Sequence, residues 1–468
     1  MKKILSLLLC MLFGCAIFLT GCAGLPVVEN KEKGIIYNGG AVSLVSDYLF
    51  FANGFAKDYS SMADMDAYNK ASKYSNLNRV KLDDLKDATQ YKSSEKVETV
   101  SKNDVVGYGK TYTFAYGDYV YYVCPNTHKT NENKQAFDYL SVFKIKNDGS
   151  SKKELMTTKT KFDSTSGKIV ALEYDDVAYL MIYDGSNFTV FDITNGDSKK
   201  LALEKITSIA LPQEEADWDG RFYYTKDREN ADGMSGNDVY MTNLAGEEKQ
   251  ITKKGENTKT IKFIDRIDDT NFFTISTEGE TSATTYTIEG EQFGTEKFST
   301  AYEFFYPKEI SNVFKVDGGD AYKDIDGYVF TANGVVLYQN TIKGGDPAPL
   351  FDNSTYASAK VIAVSGAYAY FATSTAVYKV MFSNGEVTTL VEEMTITTDA
   401  FGYTFNVADG KKLGLKDIYF FAQRMYDEEA EKEEATEEEE EKEKDENIYL
   451  FQVSSNGGKA KLVGKTIN

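Results

Sequence analysis

The sequence predicts an all-β chain folded as a β-propeller, and three observations carry this prediction. First, the 468 residues include 33 Tyr and 29 Phe but only six Pro, a composition that favours strands. Second, a short strand pattern whose fourth residue is aromatic recurs eight times along the chain. Third, a second strand, a glycine turn and a polar closing strand follow in most copies. Each copy therefore predicts a four-stranded antiparallel meander, which is the blade of a propeller.

The eight aromatic residues define the repeat. They are Phe50, Tyr121, Tyr179, Tyr223, Phe273, Phe330, Tyr370 and Phe420. Second strands such as "YLFQV" (449–453) follow, but unit 1 has only the degenerate "LNRVKL" (77–82). Pairs such as Asn195-Gly196 then favour a type I′ turn. Eight blades are the first expectation; seven blades plus a displaced hairpin, a pair of β-sandwiches and a solenoid are the alternatives.

The amino end predicts a lipoprotein signal peptide at residues 1–21. The basic start Met1-Lys2-Lys3 precedes an apolar stretch, Ile4 to Phe18, which is shorter than the ~20 residues that a spanning helix needs. Leu19-Thr20-Gly21-Cys22 resembles the lipobox of bacterial lipoproteins. That resemblance implies cleavage between Gly21 and Cys22 and acyl chains, such as palmitate, on Cys22. A plain secretory signal with a chance cysteine is the alternative.

The remaining chain divides into a tether at residues 22–36 and a propeller at residues 37–468. We expect it on the extracytoplasmic side of the cell membrane, held by the lipid on Cys22, since two acyl chains suffice for stable anchoring. A run at residues 427–446 contains 14 acids and three lysines. Charge repulsion predicts a disordered or intermittently helical insertion there. Loose binding of divalent cations or of a basic protein is the alternative reading of this run.

The net charge and the small number of histidines and cysteines limit the binding and catalytic activities that we expect. The net charge is −20, which disfavours nucleic acid as a partner. His128 is the only histidine, so a catalytic triad would have to use it. Cys124, in "CPNTH", lies close by but without defined geometry, and we expect an inert core cysteine. We expect no cofactor or metal; Asp320, Asp324 and Asp326 read as turn residues better than as a Ca²⁺ loop.

Long connections predict where a partner would bind. The connection between strands B and C of a blade emerges on the same face as the D–A connection that leads to the next blade. Four of these B–C connections are long. They span 52–76, 123–139, 225–237 and 422–447, in units 1, 2, 4 and 8. Units 8, 1 and 2 become neighbours if the ring closes, so three long loops would share one sector. The candidate contact residues in the unit 1 loop are Tyr59, Met62, Met65, Tyr68 and Tyr74.

The stretch "DVYMTNLAGEEKQIT" (238–252) resembles the TolB-like propeller repeats. The chain is also similar to propeller lipoproteins with low-density-lipoprotein-receptor-like repeats. The resemblance implies a fold and no specific chemistry. We therefore expect a binding or scaffold module for a protein or glycan of the cell envelope. The alternatives are a hydrolase or lyase that acts on envelope glycan through carboxylates at the channel mouth, and a passive structural module.

Overall fold

The fold is seen in a computed structural model of the chain. It describes residues 24–30, 34–35, 40–55, 65–107, 113–127, 139–163, 166–212, 218–227, 236–251, 258–267, 270–277, 282–289, 297–307, 310–316, 327–332, 335–339, 348–351, 359–408, 411–426 and 446–466. Within these ranges the strands form eight sheets, and each sheet contains a meander of four consecutive strands, A to D. The prediction of an all-β propeller is confirmed.

The first four blades occupy the amino-terminal half. Blade 1 contains β1 (Val42–Val45), β2 (Tyr48–Ala52), β4 (Leu77–Lys81) and β5 (Glu98–Ser101), with β3 (Gly54–Phe55), α1 (Met65–Ala71) and a 3₁₀ turn (Leu82–Asp87) between them. Blade 2 contains β6 (Thr113–Tyr116), β7 (Tyr119–Pro125), β8 (Leu140–Lys146) and β9 (Lys153–Thr157). Blade 3 contains β10 (Lys168–Tyr174), β11 (Val177–Tyr183), β12 (Phe188–Asp192) and β13 (Ser198–Leu203). Blade 4 contains β14 (Ile206–Ala210), β15 (Arg221–Asp227), β16 (Asn237–Asn243) and β17 (Glu248–Gln250).

The other four blades follow in order. Blade 5 contains β18 (Thr258–Ile267), β19 (Thr270–Thr277), β20 (Ser282–Glu289) and β21 (Lys297–Pro307). Blade 6 contains β22 (Ile310–Val316), β23 (Gly327–Ala332), β24 (Val335–Gln339) and β25 (Ala348–Phe351). Blade 7 contains β26 (Lys360–Ser365), β27 (Tyr368–Ala372), β28 (Val377–Met381) and β29 (Val387–Val391). Blade 8 contains β30 (Ile396–Ala408), β31 (Lys411–Gln423), β32 (Ile448–Ser454) and β33 (Lys461–Leu462).

The repeated aromatic residue occupies strand B in every blade. Strand B lies inside each sheet, between strands A and C, and its side chains project from the two faces of the sheet toward the neighbouring blades. Phe50 and Phe420 are fully buried, and Tyr223 is 1% exposed. Aromatic side chains at this position fill the space between adjacent blades, because each buries a large apolar area. The sequence repeat therefore reports the packing of blade against blade.

The glycine turns between strands C and D form, but not with the predicted geometry. Gly196 and Gly385 adopt positive φ values of 80° and 68°. Asn195 and Asn384 are not among the residues with positive φ, which a type I′ turn requires at both central positions. The Asp192 carboxylate instead accepts the backbone N–H of Asn195 at 2.8 Å. A side-chain hydrogen bond thus shapes the turn, and the prediction of type I′ was wrong here.

Neighbouring blades share apolar clusters, and the last blade meets the first. One cluster combines Phe421 and Leu450 of blade 8 with Phe50 of blade 1 and Tyr122 of blade 2. The inner strands are also linked by backbone bonds: Ala41 donates to the carbonyl of Phe401 at 2.8 Å. Blades 8, 1 and 2 are therefore adjacent. Their B–C connections leave the same face, which we call the insertion face; the A–B and C–D turns form the opposite turn face.

Candidate partner-binding face

The first loop of the insertion face is held by a strand of blade 8. Directly after strand B of blade 1, Gly54 and Phe55 pair antiparallel with Tyr449 and Ile448 of β32. The Phe55 ring lies 4.9 Å from the ring of Phe421. A Cβ atom on Gly54 would lie 2.2 Å from the carbonyl oxygen of Ile448. Glycine is therefore required at residue 54, because the two backbones approach too closely for any side chain.

Asn53 connects three parts of the chain at this junction. Its side chain is buried, and its Nδ2 donates to the carbonyls of Tyr74 at 2.8 Å and Lys465 at 3.0 Å. Its Oδ1 accepts from Asn78 Nδ2 and from the Lys465 N–H, both at 2.6 Å. The Asn53 carbonyl also accepts the N–H of Leu450 at 3.1 Å. One amide thus joins both ends of the blade 1 loop to the carboxyl-terminal segment, and we call residues 53–55 with 448–450 and 462–465 the closure clasp.

A short helix carries the exposed part of the blade 1 loop. In α1, Asp66 lies in the first turn and Lys70 in the last turn, each at the end of the helix dipole that its charge favours. Tyr68 and Ala71 are buried and pack against Val105 of the connection to blade 2. Met65, in contrast, is 46% exposed and is one of two large apolar side chains exposed among the described residues. The helix is therefore fixed on one side and presents Met65 on the other.

The five predicted contact residues do not share one role. Tyr68 faces the protein, and burial raises the pKa of its hydroxyl. Tyr74 is partly buried against the apolar cluster of blades 7 and 8, and its carbonyl accepts from Asn53. Met65 is exposed, while Tyr59 and Met62 lie outside the described residues. Residues 68 and 74 thus hold the loop in place, and residue 65 is left on the surface.

The segment beneath α1 is fixed by a buried polar network between blades 1 and 2. Asp104 is 5% exposed and forms an ion pair with Lys152 at 2.6 Å. Its carboxylate also accepts from the Tyr122 hydroxyl at 2.9 Å and from the Ser101 hydroxyl. A buried carboxylate is stable only when its oxygens are bonded in this way. The network gives the helix a rigid base.

Cys124 lies beside this network and has no catalytic character. It is a free cysteine and is fully enclosed in strand B of blade 2. Burial, together with the negative charge of Asp104, raises the pKa of its thiol well above the ordinary value. A reactive cysteine needs the opposite shift, because the thiolate is the nucleophile. The prediction of an inert core cysteine is confirmed, while His128 lies outside the described residues.

Asp417 is the described carboxylate whose pKa is raised. Burial raises the pKa of Asp417, but this residue lies inside blade 8, where Thr404 and Gln452 are its neighbours. Among the described residues, no group of three or more His, Cys, Asp or Glu is placed to hold a metal ion. Asp320, Asp324, Asp326 and the acidic run 427–445 lie outside the described residues. No described helix has the length and apolar character needed to cross a bilayer.

The start of the described chain lies on the turn face, which sequence reasoning missed. Residues 24–30, within the predicted tether, contact blades 1 and 2. The side chain of Asn147 bonds both the N–H and the carbonyl of Val28, at 3.1 and 2.8 Å. Arg79, whose side chain is fully buried, donates to the carbonyl of Pro26 at 2.7 Å and to Glu98 at 2.8 Å. The one feature of the sequence that hinted at this docking is the arginine in the otherwise strand-like "LNRVKL".

No protein-family model matches the chain, and no curated protein matches it. Solved structures show only distant likeness. A crystal structure of puromycin hydrolase has TM-score 0.45 and 8% identity, over 78% of this chain and 54% of that one. The WD40 domain of SCAP from fission yeast has TM-score 0.35 and 14% identity, over 55% of this chain and 63% of that domain. Apo AztD from Citrobacter koseri has TM-score 0.36 and 10% identity, over 73% and 88%.

The chain spans about half the length of the puromycin hydrolase, and about half that of a prolyl endopeptidase that it also resembles. The class of this protein therefore follows from its own strand order. Eight sheets contain consecutive A–B–C–D meanders, and blade 8 contacts blade 1. This is an all-β propeller in which the closure clasp joins blade 8 to blade 1.

Proposed function

We propose that this protein is a lipid-anchored propeller outside the cytoplasmic membrane that binds or scaffolds another component of the cell envelope through its insertion face. The observation that carries the proposal is the junction of blades 8 and 1. There, β3 pairs with β32, which places the bases of two long loops side by side. The third long loop begins in the neighbouring blade 2. Loops held by a rigid scaffold are the usual place for recognition.

The anchor rests on the sequence. Leu19-Thr20-Gly21-Cys22 matches a lipobox, and the TolB-like stretch at 238–252 agrees with an extracytoplasmic propeller. Metabolic labelling with a clickable fatty acid tests it. The wild-type chain should be labelled and recovered with membranes, while Cys22→Ser should lose the label and the membrane attachment. A Cys22→Ser variant that keeps both would exclude lipidation at this residue.

The contact surface is tested at three of the five predicted contact residues: Met65, which is exposed, and Tyr59 and Met62, which lie outside the described residues. The variant Tyr59→Ser, Met62→Ser, Met65→Ser should abolish capture of the partner by a photo-reactive amino acid placed at residue 69, because Tyr and Met side chains are enriched in protein–protein contacts. Tyr68 and Tyr74 stay in place, so the loop keeps its support.

Val27→Ser is the matched control. Val27 is the other exposed large apolar side chain among the described residues, at 61% exposure, and it belongs to the segment on the turn face. Its substitution should leave capture unchanged. Equal capture by the wild type and the triple variant, or equal loss in the Val27→Ser control, would contradict a partner site on the insertion face.

A further inference from the structure

The segment that follows the predicted lipidation site contacts the propeller from its first described residue, Gly24. A Cβ on Gly24 would lie 3.5 Å from the carbonyl oxygen of Asp148, and the N–H of Leu25 donates to the same oxygen at 3.2 Å. Val28 follows with its two bonds to Asn147. Farther on, Asn30 Nδ2 donates to the carbonyl of Gly117 at 2.8 Å. The chain is therefore held on the propeller from residue 24, by side-chain and backbone hydrogen bonds distributed over residues 24–30.

All of these contacts lie on one face. Asn147 and Asp148 belong to the C–D turn of blade 2, between β8 and β9, and Gly117 belongs to its A–B turn, between β6 and β7. In a meander these two turns lie at the same end of the strands, and the B–C connection lies at the other end. The docked segment thus lies on the turn face, on the side opposite the long loops and Met65.

Chain length then limits where the lipid can be. Two peptide units separate Cys22 from Gly24, and an extended chain spans at most about 7 Å over that distance. A lipid on Cys22 would therefore be attached within that distance of Gly24, which contacts the C–D turn of blade 2. A strand of five residues, such as β28, is about 17 Å long. Because the reach from Gly24 is shorter than this strand, the attachment point lies nearer the turn face than the insertion face.

We infer that the turn face of the propeller is held toward the bilayer and that the insertion face points away from it, into the envelope. The inference rests on the proposed lipidation of Cys22 and specifies how the anchored protein is oriented. The exposure of Val27, in the same docked segment, agrees with it. Its side chain is exposed beside the buried Val28, at the edge where the chain leaves for Cys22. An exposed apolar residue at that place fits the bilayer surface.

Adhesion to anionic lipid does not explain this orientation, because the turns beside the docked segment contain several aspartates. Asp118, Asp148, Asp175 and Asp176 lie in its A–B and C–D turns. Carboxylates are repelled by the negative surface potential of anionic lipids. The docked segment and its covalent attachment are what hold the propeller. A partner bound at the insertion face would accordingly be recruited on the far side from the membrane.

The test measures the distance of each face from the lipid headgroups. Ser374→Cys lies in the B–C turn of blade 7 and Ser383→Cys in its C–D turn, and both serines are exposed. A second pair in blade 3 is Ser186→Cys and Ser198→Cys. Each variant of the full acylated chain is labelled with one fluorophore and placed in vesicles that carry a headgroup quencher. The buried Cys124 does not react with the label in the folded protein.

The turn-face labels, at residues 383 and 198, should be quenched several-fold more than their partners at residues 374 and 186. The quenching ratio is the quenching of the turn-face label divided by that of the insertion-face label in the same blade. A flexible Gly-Ser linker of about 16 residues between Ala23 and Gly24 spans about 22 Å. It should bring this ratio close to one while the chain stays on the vesicles. Asn147→Ala, which removes both bonds to Val28, should lower the ratio as well.

Asn126→Ala is the matched control for Asn147→Ala. Asn126 is also buried in blade 2, but its side chain bonds Ser141 and Thr157 near the insertion face. It should leave the ratio unchanged. Equal or inverted quenching in an acylated wild-type chain would overturn the orientation and leave the anchor intact. A chain that is not acylated would instead refute the proposed function, so the two failures are distinguishable.

Discussion

The closure clasp makes one strong prediction, which concerns Asn53. The substitution Asn53→Ala removes four hydrogen bonds at the junction of blade 1 with the carboxyl-terminal segment. Asn78 is 2% exposed, so its Nδ2 would lose a partner in a place that water does not reach, at about 1–3 kcal/mol. The other three bonds, two with Lys465 and one with the Tyr74 carbonyl, are only partly buried and contribute about 0.5–1 kcal/mol each.

The clasp should therefore become weaker by about 2.5–6 kcal/mol, which corresponds to a factor of about 60 to 20,000 in an opening equilibrium. Hydrogen–deuterium exchange with mass spectrometry measures this opening directly. In the variant, exchange should speed up by that factor in residues 448–454 and 461–465. Strands β10 and β11 of blade 3 should keep the wild-type rates, because they lie outside the junction.

Two further variants make the test specific. Asn53→Asp keeps the acceptor oxygen but places a carboxylate against the carbonyls of Tyr74 and Lys465, so it should open the clasp at least as much. Asn76→Ala is the control. Its partly exposed side chain bonds only the Lys73 carbonyl and the Asn103 N–H, and its loss should cost less than about 1 kcal/mol. Wild-type exchange of residues 448–454 in Asn53→Ala would refute the reasoning.

Two other predictions concern stability. Gly54→Ala should lower the free energy of unfolding by roughly 3 kcal/mol in urea denaturation, because its Cβ would lie 2.2 Å from a backbone oxygen that cannot move without shifting β32; a change below about 1 kcal/mol would contradict this contact. Stability should also fall as the pH rises above 9. Burial raises the pKa of the Cys124 thiol above 9.0 and that of the Tyr370 hydroxyl to about 12. The unfolded chain therefore loses these protons at a lower pH than the folded chain does, which favours unfolding. Cys124→Ala should reduce the fall by about 1.4 kcal/mol per pH unit in that range, and an unchanged slope would exclude Cys124 as its source.

The fold could be predicted from the sequence because blade formation is local. Each meander joins consecutive strands, so alternation of side chains and turn residues specifies the pairing without distant information. The aromatic residue of strand B recurs because every blade buries the same position. Cys124 was also predictable, since a lone apolar-flanked cysteine in a strand is most often packed inside.

The candidate site was only partly predictable. The sequence identified the long loop of blade 1, and its tyrosines and methionines were treated as one surface. Composition does not show which side of a short helix faces the body, so Tyr68 could not be separated from Met65. That separation depends on Val105, more than 30 residues away in the chain, and on the support that Asp104 gives to this segment.

The sequence alone determined the repeat and the all-β class, because both are written in residues that are close together in the chain. Only the tertiary structure decided how the ring closes and where its amino end lies. Gly54 meets Tyr449, and Val28 meets Asn147, across separations that no local pattern records. The apparent defect in "LNRVKL" shows the reason: Arg79 interrupts an apolar strand because its guanidinium holds Pro26 and Glu98, and that purpose exists only once the blades have assembled.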